Sequence, residues 1–242
     1  KWQGQCPDCA AWNSLNETVA AKKNHSSLKA LELKRLNEIN EKLIIRYNSG
    51  FDEFDRVLGG GLVPGSVILV GGDPGIGKST LLQQIASNLS LDLTACYITG
   101  EESINQVAQR SSRIGTSHSS VLVIASTSLE QILHQIKKSE SRVVIIDSIQ
   151  TMVSSETNSS PGSISQLKEC VGELVQFAKQ NEISVLLIGH VTKEGAIAGP
   201  KIVEHMVDTV IYFENDLASR YTVIRPVKNR VGATTEMGVF AM

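Results

Sequence analysis

A chain of 242 residues has room for one full α/β domain and a small appendage. Its apolar fraction of 41% suits a folded protein, while a net charge of −2 and a pI near 6.3 leave no global basic field to attract nucleic acid. No run approaches the roughly 20 apolar residues of a membrane helix, no signal peptide opens the chain, and the four cysteines suit a reducing, cytoplasmic setting better than a disulfide scaffold.

Residues 1–18 hold Cys6-x-x-Cys9 flanked by Gly, Pro and two Trp, which reads as one knuckle of a zinc ribbon. Four thiolates normally hold such an ion, so Cys6 and Cys9 bind Zn²⁺ only if a second pair is supplied. A redox C-x-x-C is the rival, but it wants a thioredoxin-like βαβ context that is absent. Residues 19–48 are polar, with lysines among scattered leucines. They read as a linker, with helix from about Leu28 to Leu43 or a DNA-facing arm as alternatives.

From Ser49 the pattern tightens into a core that runs to residue 242. A Gly triplet, Gly59–Gly61, and a Pro64-Gly65 turn lead into the apolar run Val67–Val70. Gly71 to Thr80 reads GGDPGIGKST, and a helically spaced segment follows. Strand, glycine turn and helix are the context in which G-x-x-x-x-G-K-[ST] cradles phosphates. Backbone N–H groups of Gly72, Asp73, Pro74, Gly75, Ile76, Gly77, Lys78, Ser79 and Thr80 (Pro74 lacking one) line the loop, and the helix N-terminus favours an anion. Lys78 can reach the β- and γ-phosphates and the Ser79 hydroxyl can ligate Mg²⁺. The loop predicts nucleoside triphosphate binding.

Strand-like runs recur at Thr94–Ile98, Val121–Ile124, Arg142–Ile146, Val185–Ile188, Thr209–Phe213 and Tyr221–Val227. They are rich in Val and Ile and largely unalternating, as parallel strands buried on both faces are. Three S-x-x-Q signatures predict capped helices: Ser103/Gln106, Ser128/Gln131 and Ser163/Gln166. The alternation predicts an α/β fold, a mostly parallel sheet between helices, with an antiparallel extension where the closing strands lack crossover helices.

Phosphoryl transfer needs positioned groups and charge neutralisation. Asp147 ends the run Arg142–Ile146 and is the expected second Mg²⁺ ligand. Glu101 is the expected base for water and Glu102 the second choice, the latter also suited to favouring a helix N-terminus. His190 follows Val185–Gly189 and has two readings, a γ-phosphate sensor or a structural histidine. Two loops, Ser154–Gly162 and Val191–Lys201, are polar or glycine-rich and expected to move. Arg225, Lys228 and Arg230 are either a solvated basic turn or a finger reaching the nucleotide of a neighbouring subunit.

Taken together, these motifs resemble the bacterial RadA (Sms) family of DNA-repair ATPases within the RecA superfamily. The segments KWxGxCPxCxxWN, DRVLGGGLVPGS, the phosphate loop, GEES, DS-x-Q, GHVTKEGxxAGP, EHMVD and K-N-R occur in family order over nearly the whole chain. The resemblance implies a RecA-like P-loop core in a hexameric ring and ATP- or dATP-driven movement on single-stranded or branched DNA. It also implies branch migration beside the recombinase RecA. Lys78, Ser79, Asp147 and Glu101 then keep their phosphate, metal and base roles, His190 becomes the γ-phosphate sensor, and Lys228 and Arg230 fall in the family's KNRFG motif. Two departures stand out. Val231 replaces the motif's Phe, and half of the finger and a Lon-like domain are absent, so the chain reads as a fragment. The rival functions are a nucleotide-switched ring scaffold that recruits recombination proteins and a circadian-type RecA-fold kinase.

Overall fold

Strands buried on both faces need apolar side chains at nearly every position. Val67–Gly72, Ala95–Thr99, Val143–Asp147 and Ser184–Ile188 are buried throughout. Leu122–Ala125 at the sheet edge and Tyr221–Asn229 in the antiparallel part are partly exposed, against the sequence expectation. The computed structural model describes Arg35 and residues 45–157, 159–190, 199–215 and 221–241. The chain divides after Leu43, and the strands and helices that follow belong to the second unit. Cys6, Cys9, the helix expected over 28–43 (Arg35 apart) and the glycine-rich segment 191–198 lie outside the described residues.

Eight strands form one sheet: β1 (Val67–Gly72), β2 (Ala95–Thr99), β3 (Leu122–Ala125), β4 (Val143–Asp147), β5 (Ser184–Ile188), β6 (Thr209–Asn215), β7 (Tyr221–Asn229) and β8 (Gly238–Ala241). Their order is β3-β2-β4-β5-β1-β6-β7-β8. Every neighbouring pair from β3 to β6 is parallel, while β6–β7 and β7–β8 are antiparallel. Helices α1 (Asp52–Leu58), α2 (Lys78–Leu89), α3 (Ile104–Arg113), α4 (Leu129–Lys138), α5 (Ile164–Asn181) and α6 (Gly199–Glu204) accompany it. Among the described residues no helix is long and apolar enough to cross a membrane.

Side chains alternate between two cores. Ile68 and Val70 of β1, Tyr97 of β2 and Val143 and Ile145 of β4 join one core with α1 and α2. Val67 and Leu69, Cys96 and Ile98, and Val144 and Ile146 join the other, with α4 and α5. Alternation is therefore present in space but invisible in sequence, because both destinations are apolar. Strand bounds differ from the sequence expectation by one or two residues, as the ends of elements usually do.

Three local expectations need correction. The stretch read as a glycine-rich approach to β1 contains α1, with Asp52, Glu53 and Asp55 in its first turn and Gly59 closing it in the left-handed region. Strand β8 carries no signal beyond four residues. Of the three capping signatures, Ser103/Gln106 makes the full reciprocal box and Ser163 accepts only the Gln166 N–H, whereas Ser128 makes no side-chain cap. Ser128 instead bridges to Val153, and its hydroxyl donates to Glu130.

Phe54 is the side chain by which α1 enters the first core, and it is fully buried. Phe54→Ala is expected to cost about 3–5 kcal/mol, read as a lower denaturant midpoint at unchanged slope.

Candidate nucleotide site

Four adjacent strands, β2, β4, β5 and β1, run the same way, so their carboxyl ends share one edge of the sheet. Gly72 to Gly77 leave the end of β1, Glu101 follows β2, Asp147 ends β4 and His190 follows β5. The parallel pairing thus brings together residues more than a hundred positions apart.

The loop after β1 turns directly into α2. Gly77 occupies the N-cap position at φ 103° with no side-chain cap, a backbone state that L side chains rarely adopt. The first N–H groups of α2 are left to whatever anion lies in front of them. Ile76 is buried and anchors the loop, while Pro74 and Gly75 are exposed at its tip. Lys78 is 3% exposed, and its ammonium donates to the carbonyls of Gly72 and Asp73 at 2.8 Å each. Burial lowers its pKa from the usual lysine value, and the charges of Asp147, Asp73 and Glu101 pull it back.

Asp147 is 6% exposed. Its Oδ2 accepts the Tyr97 hydroxyl at 2.5 Å, and Arg110 Nη2 lies 4.0 Å away. Behind it, the Gly100 N–H donates to the Asp147 carbonyl at 2.8 Å. A Cβ on Gly100 would collide with Thr151 Oγ1, so this turn admits only glycine.

The two glutamates separate. Glu101 accepts the Ser148 hydroxyl, and its Oε1 lies 3.3 Å from His190 Nε2. Glu102 turns away and forms an ion pair with Arg110 Nη1 at 2.7 Å, without the alignment of a hydrogen bond. The Glu102 backbone is fixed by Thr99, whose Oγ1 accepts its N–H at 2.8 Å and donates to its carbonyl at 3.0 Å. Gln150 Nε2 donates to the His190 carbonyl at 3.2 Å, and His190 Nδ1 is buried with no hydrogen-bond partner among the described residues.

Lys228 and Arg230 lie elsewhere. β7 is antiparallel to β6, so its end sits beside the start of the parallel strands, where Lys228 pairs with Val210. The length of β1, roughly 17 Å by strand rise, separates that edge from the phosphate loop. Lys228 Nζ donates to the carbonyls of Glu204, His205 and Val207 at the end of α6, at 2.8, 3.2 and 2.7 Å. Arg230 pairs with Asp208 at 3.4 Å. Arg225, exposed further back on β7, pairs with Glu214 at 3.4 Å. Within one chain these cations do not meet the nucleotide site.

The first of the two expected mobile loops is fastened at its base. Ser154 is 1% exposed, its carbonyl accepts Gln166 Nε2 at 3.1 Å, and its hydroxyl lies 3.1 Å from Glu130 and 3.3 Å from Glu173. Ser155 donates to Glu130 through its N–H at 2.6 Å and its hydroxyl at 2.9 Å. Among the described residues no group of three or more His, Cys, Asp or Glu forms a metal cluster. Sequence reasoning missed Tyr97, Arg110, Gln83 and Ser148 at the site; the one hint was a tyrosine inside an apolar strand, whose hydroxyl must find a partner.

Comparison with known proteins gives consistent likenesses. The AAA domain family model matches residues 33–196. The DNA repair protein RadA of Pseudomonas aeruginosa is 48% identical over all of this chain and 55% of its own length. Those of Bacillus subtilis and Escherichia coli are 44% and 43% identical, again over all of this chain and 55% of theirs. This chain therefore spans about half the length of these relatives. A solved ATPase domain superposes with a TM-score of 0.71 at 17% identity, covering 84% of this chain and 90% of that one. At that identity the likeness speaks to the fold, which is the α/β RecA-like P-loop core.

Burial would raise the Glu130 carboxyl, but the bonds from Ser155 and Ser154 outweigh it and hold its pKa down at about 2, against 4.5 ordinarily. With the folded value below the unfolded one, its stabilisation is whole above pH 4.5 and drains as pH falls toward 2. Glu130→Gln should lower stability at pH 7, and denaturation across a pH series should show that deficit closing between pH 4.5 and 2.

Proposed function

We propose, for a chain that belongs to the AAA domain family and stands with the RadA DNA-repair proteins within it, that it binds and hydrolyses ATP or dATP with Mg²⁺ to act on DNA. The observation that carries this reading is Lys78, a buried ammonium held by the Gly72 and Asp73 carbonyls of a glycine loop whose Gly77 caps α2 without a side chain.

The donor set fits Mg²⁺. The Ser79 hydroxyl opens α2, the Asp147 carboxylate ends β4, and a hard cation that keeps waters and substrate phosphates needs no larger protein cage. Ser79 and Asp147 would hold the ion, which when bound neutralises charge on the phosphates. The amides of residues 72–80 cradle the phosphates, and Lys78 exchanges the Gly72 and Asp73 carbonyls for phosphate oxygens. Glu101 orients water and takes its proton, because Glu102 is committed to Arg110. His190, 3.3 Å from Glu101, couples that carboxylate to the γ-phosphate.

The remainder is proposed from the family resemblance of the motifs rather than from this site. We assign residues 1–18 to a partial zinc ribbon in which Cys6 and Cys9 bind Zn²⁺ once the second pair is present, 19–48 to a linker and 49–242 to the ATPase core. The polymer is single-stranded or branched DNA, the motion branch migration in a hexameric ring in the cytoplasm, with RecA as partner. Lys228 and Arg230 reach a neighbour's nucleotide in that ring, exchanging the carbonyls and carboxylate they hold in one chain.

Calorimetry and turnover assays test this. Lys78→Ala is expected to lose ATP binding, and Glu101→Gln to keep binding while turnover drops by about 10²-fold or more. Single-stranded DNA should accelerate the parent's turnover. Unchanged ATP heat with Lys78→Ala, or parental turnover with Glu101→Gln, removes the assignment.

A further inference from the structure

We propose that Tyr97 is a positioning residue for the magnesium site, fixing the Asp147 carboxylate, and that Arg110 holds Tyr97 in that role. The inference rests on the nucleotide-hydrolase reading and adds residues from β2 and α3 to it.

Position 97 lies in the interior of a buried strand, between Cys96 and Ile98, where an apolar side chain would complete the core as well. A fully buried phenol there must find partners for its hydroxyl. Tyr97 finds one of them in a prospective ligand of the ion. It donates to Asp147 Oδ2 at 2.5 Å. Arg110 Nη2 donates to the phenol oxygen at 2.9 Å. The hydroxyl is thus held both as donor and as acceptor. Holding Oδ2 leaves Oδ1 as the oxygen presented to a ligand.

Arg110 is itself over-determined. Its Nε donates to Gln83 Oε1 at 2.6 Å, its Nη1 pairs with Glu102 at 2.7 Å and its guanidinium stands 5.6 Å from the centre of the Tyr97 ring. Gln83 in turn donates to the Val107 carbonyl at 3.3 Å. Groups from α2 and α3 therefore converge, through Arg110, on the β2 phenol that holds one carboxylate oxygen. Mg²⁺ demands near-ideal octahedral geometry, so a ligand free to rotate binds it less well.

Tyr97→Phe removes the hydroxyl and keeps the ring. Three measurements are made on the parent and the variant: affinity for a slowly hydrolysed ATP analogue in EDTA, the same affinity with Mg²⁺, and the Mg²⁺ concentration at half-maximal turnover. The expected result is a half-point raised by about tenfold and a Mg²⁺-dependent gain in affinity reduced to match, as other groups that orient metal ligands do on removal. Affinity in EDTA should stay within about twofold of the parent's. A parental half-point and parental Mg²⁺ gain overturn the proposal, as does an equal loss with and without Mg²⁺, which marks a merely structural phenol. Should Tyr97→Phe not fold, Arg110→Gln is expected to shift the half-point in the same direction by a smaller factor, and an unshifted half-point there overturns the proposal too. A parent that gains nothing from Mg²⁺ brings down the hydrolase reading itself, whereas a normal parent with an unaffected Tyr97→Phe brings down only this assignment.

Discussion

Parallel pairing of β2, β4, β5 and β1 is the constraint on which the site depends, and hydrophobicity alone does not set its register. In a sheet with one wet face, a slip of one residue drives apolar side chains into water. Both faces of β4 are apolar, with Val143 and Ile145 packed on one side and Val144 and Ile146 on the other. A slip would exchange one core for the other at modest cost. A polar side chain supplies discrimination: the Tyr97 hydroxyl meets the Asp147 carboxylate in one register. The groups that would perform chemistry are also those that align the strands.

That dual use explains how so much charge is tolerated inside. Lys78, Asp147 and Arg110 are all largely shielded from water, and an isolated ion in that position would be costly. Each has compensation. Lys78 has two carbonyls, and the charges of three carboxylates favour its charged form; Asp147 has a phenol and a nearby guanidinium, and Arg110 has Gln83, Glu102 and Tyr97. Glu102 spends its charge on Arg110, which leaves Glu101 as the carboxylate facing Ser148 and His190. Two adjacent glutamates are thus distinguished by the direction of one guanidinium.

The parts of this legible in sequence are the local ones. A glycine loop between an apolar run and a helical segment declares itself within ten residues, and strands buried on both faces declare themselves by unbroken Val and Ile. α1 was hidden because its flanking glycines read as a turn, although Phe54, Val57 and Leu58 share a helical face. The Ser128 signature matched a capping box, but the tertiary bridge to Val153 redirected its backbone and Glu130 took its hydroxyl. The Tyr97–Asp147 contact spans 50 residues, and no periodicity announces a pairing of that kind.

The remaining tension concerns Lys228 and Arg230, which sequence order suggested for phosphate and which lie at the far edge of the sheet. The lysine caps the carbonyl end of α6, where a cation is favoured by the helix dipole as well as by its three hydrogen bonds. Burial and the neighbouring Arg230 lower its pKa, so this environment holds the charge with less comfort than water does. A phosphate supplied by another subunit would restore that charge's solvation through bonds of the charge-assisted kind. Exchange of partners therefore carries little intrinsic penalty for the lysine. Its cost falls on α6, whose last carbonyls lose their cap, and α6 is reached from His190 through residues 191–198. The strand end beside the phosphate loop and the cations at the opposite edge are joined in sequence by residues 191–198 and one short helix.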